Sequence, residues 1–312
     1  MAHQRKSNNL YDPREGDEAL HIGRLDFGPS PHEPPRTNYF TVYWIESGSG
    51  QFWADAGCHP FGPQSLLFFV PYQHVRVEPK RRVAGTVIQF HANFLCVEKF
   101  YAESGCSGVL FNDPYGVPHV ALESEAAADV AGLMARMDRE QTARELGYQD
   151  VLLAVLKVLL VLAARRKTGG QPACPAGAQA FRHPVLSRLK DLIELHYREL
   201  HTPADYAALV HMTPKALGRC VQEHLGKTLT DLIRDRILIH AKWQLLHTLK
   251  SVKVIAAEVG FDDGLYFSRF FKKATGCSPK FFREFETAIR GGSNLSMLSS
   301  PAPILPRPLQ RR

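Results

Sequence analysis

The chain has 312 residues, of which 45% are hydrophobic and 22% charged, with a net charge of +7. That is apolar content for two ordinary cores, and it excludes a fibrous or globally disordered chain. Six cysteines, Cys58, Cys96, Cys106, Cys174, Cys220 and Cys277, form no C-x-x-C pair, so neither a disulfide framework nor a structural zinc site is indicated and a reducing cytoplasm is expected.

Residues 1–20 read as a polar arm without the apolar run of a signal peptide. From about Arg24 to Phe94, short runs rich in Val, Ile, Phe, Tyr and Trp ("FTVYWIESGSGQFWAD", "PQSLLFFVPYQHVRVEP", "RVAGTVIQF") are separated by Gly, Pro and Asp. This spacing predicts an all-β sandwich or barrel, with "GSG" at 48–50 as a tight strand-to-strand turn. Helical periodicity then predicts helices over 124–140 and 144–167. The second carries Leu152, Leu153, Leu156, Leu159, Leu160 and Val161, a stripe wider than a lone surface helix needs. It packs on the barrel or forms a dimer seam through Leu156 and Leu160, and both readings stand. The same segment is too short to span a bilayer and has Lys157 midway, so no membrane association is expected.

Residues 168–184, rich in Gly, Pro and Ala, predict a linker, and 288–312, rich in Pro and Ser, a disordered basic tail. Between them, 185–287 reads as short helices throughout. Charge divides unevenly: 18 Lys and Arg against 19 Asp and Glu in residues 1–183, 17 against 12 in 184–290, and three against none beyond. A neutral first domain before a basic second one is the asymmetry expected where the second meets a polyanion.

Within 185–287 an arrangement repeats. "TPADYAALV" and "TPKALGRCVQEHL" are followed by a longer helix at about 230–249, and then by "VKVIAAEVG" and "DDGLYFSRFFKKA". Ala207 matches Ala256 at an offset of 49, while Leu217, Arg219 and Val221 match Phe267, Arg269 and Phe271 at an offset of 50, so the second turn holds one extra residue. Each unit is a pair of short helices with a tight turn and a cationic outer face, a helix-turn-helix. Phe267 and Phe271, four apart, anchor one face of their helix, while Arg269, Lys272 and Lys273 point the other way.

These residues resemble the AraC-type bacterial transcription regulators. The segment "IAAEVGFDDGLYFSRFFKKATGCSPKFFRE" (255–284) is similar to that family's signature at Ile255, Ala256, Gly260, Phe261, Tyr266, Phe267, Arg269, Phe271, Lys272, Gly276, Pro279, Phe282 and Arg283. The first unit departs from it at His211, where glycine is usual, at Gly218, where a polar residue is common, and at Val221, in place of an aromatic. The N-terminal part looks like the family's cupin-type sensor domain. The resemblance implies a mixed α and β chain of two domains: a cupin-like β jelly roll with two C-terminal helices (21–167), then an all-α domain with two helix-turn-helix motifs joined by a linking helix (185–287).

It also implies a DNA-binding regulator whose recognition helices, 214–224 and 263–274, present Lys215, Arg219, Gln222, Leu265, Ser268, Arg269, Lys272 and Lys273 to a double-stranded operator. The expected partners are that operator, a small-molecule effector, RNA polymerase and a second copy of the chain as homodimer. Strand alternation would turn some of Tyr43, Ile45, Phe52, Phe68, Val70 and Phe90 inward, most of them to line a closed core, and Tyr43, Phe52, Phe68, His74 and Phe90 are the effector-binding candidates. A sugar, an aromatic acid, a small amide or no ligand at all are compatible with them. The alternative reading is a metal-dependent cupin enzyme with a helical accessory domain. His59, His74 and His91 stand apart without an H-x-H pair, so no metal site, cofactor or catalytic residue is assigned. Cys96 and Cys106 bracket "VEKFYAESG" and read as small buried residues, with a redox or metal-sensing pair as the alternative.

Overall fold

The computed structural model describes residues 9–104, 108–111, 113–169 and 183–291. Residues 1–8 of the expected arm, most of the expected linker and tail, and Cys106 and Cys174 lie outside this set.

The N-terminal half is one antiparallel sheet folded on itself. Its strands are β1 (Leu20–Phe27), β2 (Phe40–Ala54), β3 (Gly57–Phe61), β4 (Ser65–Phe69), β5 (Val75–Phe90) and β6 (His119–Ala121), in the order β1-β5-β2-β4-β6 with β3 also on β2. Two long strands run through the fold: β2 pairs with β5 over their whole lengths, and the register shifts between Ile45 and Gly50. "GSG" is therefore a bulge inside β2 and not the turn expected between two strands. The backbones approach so closely there that a Cβ on Gly48 or Gly50 would run into the Arg82 or Glu78 carbonyl. Glycine and a bulge are how a long strand bends sharply.

The bend separates two cores. Tyr43, Ile45, Phe52, Phe61, Leu67, Phe69, Val75, Val77 and Val83 fill the space between the halves of the sheet. Val42, Trp44, Leu66, Phe68, Ile88 and Phe90 point to the opposite face and pack with α2 (Ser124–Ala143) and α3 (Tyr148–Lys167). A sheet covered on both faces reads as a near-continuous apolar run, and all of Thr41 to Ile45 are buried. Helix α1 (Val97–Ser104) and strand β6 were not legible in the sequence.

On α3, Leu152, Leu156, Leu159, Leu160, Ala163 and Ala164 face this core, with Leu156 and Leu160 fully buried. The leucine stripe is core, so a dimer seam through Leu156 and Leu160 is ruled out. Val151 and Leu162 are half-buried outside this core, and Ala154 and Val158 are exposed. Cys96 is exposed as well, contrary to the buried pair expected.

The C-terminal half is helical: α4 (Pro184–His196), α5 (Pro203–Leu209), α6 (Pro214–Leu225), α7 (Leu229–His247), α8 (Val252–Glu258), α9 (Gly264–Thr275) and α10 (Pro279–Ile289). The starts follow local chemistry. Side chains of Thr202, Thr213, Thr228, Ser251, Asp263 and Ser278 each accept a backbone N–H of the first turn, and Pro203, Pro214 and Pro279 open their helices. One core runs through this half, and Tyr72 and Tyr115 of the N-terminal half are part of it.

Candidate nucleic-acid interface

Helices α5 and α6 form the first helix-turn-helix unit, α8 and α9 the second, with α7 between them. At about 1.5 Å per residue, the 19 residues of α7 span roughly 28 Å. The turns differ by one residue. In the first, His211 is in the left-handed region (φ 57°), and in the second Gly260 takes that place (φ 91°). Here the glycine is required, because a Cβ would strike the carbonyl of Arg198.

Each second helix buries one face and exposes the other. On α6, Leu217, Val221 and Leu225 are buried, while Lys215, Arg219 and Gln222 are exposed. On α9, Phe267, Phe271 and Thr275 are buried, while Leu265, Arg269, Lys272 and Lys273 are exposed. Ser268 is half-buried, and its hydroxyl donates to the Gly264 carbonyl at 2.8 Å, so it is turned back on its own helix. The other expected contact residues share two outward faces at equivalent points of the repeat.

Two further side chains stand on those faces. Tyr266, three residues before Arg269, is 62% exposed beside Leu265, and the i, i+3 spacing from Arg269 could have found it. Glu223 accepts from Arg219 Nε at 2.6 Å, and the hydrogen bond raises the arginine pKa and lowers that of the carboxylate. Both are exposed, so the pair adds little stability. It holds the guanidinium along the outer face of the helix.

The five effector candidates do not share a face. Cross-strand register sets Phe68 opposite Val42 and Phe90 opposite Phe40, one residue out of phase with Tyr43. Phe68 and Phe90 therefore belong to the core under α2 and α3. His74 is at the surface, against Glu33. Only Tyr43 and Phe52 lie between the halves of the sheet. Beside Tyr43 is a cavity of about 30 Å³ bounded by Pro34, Pro35, Thr37, Thr41, Phe69, Gln73 and Gln89 among others, and burial pushes the Tyr43 hydroxyl up to about 12. Among the described residues, no three His, Cys, Asp or Glu side chains are grouped to hold a metal ion. No described helix is long and apolar enough to cross a membrane.

Comparison with known proteins agrees with this geometry. A helix-turn-helix domain family matches residues 206–284. The arabinose operon regulatory protein of Salmonella typhimurium is 34% identical over 109 residues, 34% of this chain and 39% of that protein. The transcriptional activator RhaR of Escherichia coli is 22% identical over 194 residues, 62% of this chain and 67% of its own. Among solved structures, the C-terminal domain of AraT from Geobacillus stearothermophilus is 32% identical, with a TM-score of 0.32, over 33% of this chain and 85% of that one. The chain spans about two fifths or less of the arabinose regulators it matches. Residues 206–284 thus match a helix-turn-helix domain family, and part of the chain is similar to the arabinose operon regulators.

Proposed function

We propose that the protein is a sequence-specific DNA-binding regulator of transcription that responds to a small-molecule effector in its N-terminal domain. One observation carries this reading: two helices at equivalent points of a tandem repeat expose a cationic face, Lys215 and Arg219 on one and Arg269, Lys272 and Lys273 on the other. Arg219 and Arg269 each offer guanine a bidentate fork, and the lysines neutralise phosphates. Leu265 and Tyr266 supply apolar contact, for instance to a thymine methyl. The relatives, an operon regulatory protein and a transcriptional activator, point the same way. The operator is double-stranded DNA in the cytoplasm, RNA polymerase is the downstream partner, and the chain acts as a homodimer.

The effector enters beside Tyr43. The cavity there is far below the roughly 300–1,000 Å³ of ligand pockets, so binding must displace the loops that bound it. The loop at 34–38 and the turn at 70–73 are those loops, and both also touch the helical domain. Selection from a random duplex pool with the full chain, with metal analysis of the same preparation, tests the function. An enriched motif whose log affinity falls linearly with log salt, at about −0.9 per phosphate contact, is the expected result. Stoichiometric metal with no enriched motif would favour the metal-dependent cupin enzyme instead.

A further inference from the structure

Both recognition helices end on a glycine at equivalent points of the repeat, and both glycines lie against the N-terminal domain. Gly226 closes α6 in the left-handed region (φ 64°). Its carbonyl accepts from the backbone N–H of Cys58 in β3 at 3.2 Å, and a Cβ there would meet the Cys58 carbonyl at 2.5 Å. Gly276 closes α9 (φ 85°), where a Cβ would stand 3.2 Å from the Arg36 guanidinium. That guanidinium in turn lies 3.4 Å from the Lys273 carbonyl through each of its Nη atoms.

Further contacts fall between and beyond these two points. Next to Gly226, Lys227 donates to the Pro114 carbonyl at 3.4 Å. Midway, Lys242 of α7 donates to the Pro71 carbonyl at 3.0 Å and lies over the Tyr72 ring. At the far end Glu286 of α10, 2% exposed, accepts from the Tyr72 hydroxyl at 2.6 Å and from Asn38 Nδ2 at 3.2 Å. Arg290, just past the end of that helix, donates to its other oxygen at 3.1 Å, and His91 Nε2 stands 3.5 Å away. Asn93 Nδ2 donates to the Ile289 carbonyl at 2.8 Å.

A carboxylate this buried needs its partners, and two of its donors, Tyr72 and Asn38, come from the other domain. Two units fixed to a third body at equivalent points cannot change their separation without breaking one set of contacts. A single helix between them can bend gently. We infer that the N-terminal domain is a brace across the two helix-turn-helix units, through Gly226 at one end and Glu286 at the other, and that it sets the half-site spacing the protein accepts. This rests on the DNA-binding reading above.

The test uses the full chain on its selected site and on the same site with one base pair inserted between the halves. One pair adds about 3.4 Å and a tenth of a turn. Wild type should lose on the order of tenfold in affinity, the scale of a mismatched pair. Asn38→Ala combined with Tyr72→Phe should bind the native spacing comparably and lose less than about threefold on insertion. Arg36→Ala loosens the second unit without touching the buried carboxylate and should relax spacing in the same direction. If all three proteins reject the insertion equally, α7 alone sets the spacing and the brace is refuted. If wild type selects no site at all, the DNA-binding reading falls, and the brace with it.

Discussion

His211 is held at φ 57°, where a side chain is strained, while its counterpart Gly260 is not. Because His211 is exposed, replacing it removes strain and few contacts. His211→Gly should raise unfolding stability by a few tenths to about 1 kcal/mol, read as a higher denaturant midpoint. Gly260→Ala should lower it by about 1–3 kcal/mol, since its Cβ meets the Arg198 carbonyl. An unchanged midpoint in both would contradict the strain at His211 and the close approach at Gly260. At Glu286, burial by itself would raise the carboxyl pKa, but His91, Arg290 and Tyr72 bring it down to about 2. Above the ordinary pKa of about 4.5 the group is ionised in both folded and unfolded chains, and its contribution is fully present. As pH falls from about 4.5 towards 2, the unfolded chain takes the proton first and that contribution is lost. It amounts to about 3 kcal/mol at most. Glu286→Gln should therefore lose less stability than wild type across that window. A parallel decline would remove the ion from the account.

The elements differ in how far the sequence reveals them. The helical repeat was legible because caps, prolines and the 3.6-residue period all agree: Thr213 and Pro214 start α6, and the offsets of 49 and 50 are those of α5 to α8 and α6 to α9. The sheet was legible as strands but not in phase. A one-residue change in register moves Phe68 and Phe90 to the other face, and nothing local distinguishes a glycine bulge inside β2 from a turn. On α3 the stripe was visible but not what covers it, because an apolar face looks the same whether a sheet or a second chain packs there. The structure makes a clear division along that helix. Leu156→Ala should cost about 2–5 kcal/mol, whereas Val158→Ala, on the outer face, should cost under about 0.5 kcal/mol in the monomer. A large loss at Val158 with little at Leu156, in thermal unfolding, would reverse the assignment of faces.

At the scale of the molecule, the contact between the domains left no trace in the sequence pattern. Tyr72 falls in a run read as strand and nothing local singles out Tyr115, yet both complete the core of the helical domain, and Tyr115 donates to Glu194 of α4 at 2.8 Å. Period and composition report which face of an element is buried, not which distant element buries it. The outward placement of the expected contact residues on α6 and α9 was legible because it depends on local helix geometry alone, and the effector candidates were scattered because their placement depends on sheet register. What joins the scales is the claim that α6 and α9 read two parts of one DNA site, held apart by a helix of about 28 Å against a duplex turn of roughly 34 Å. Binding-site selection with wild type, Arg219→Ala and Arg269→Ala tests it most directly. Each variant should lose base preference in its own half of the site, by about 1–3 kcal/mol at one position, with the two halves about one turn apart. Uniform weakening at every position in both variants would contradict the account, because the arginines would then be phosphate contacts and not readers of sequence.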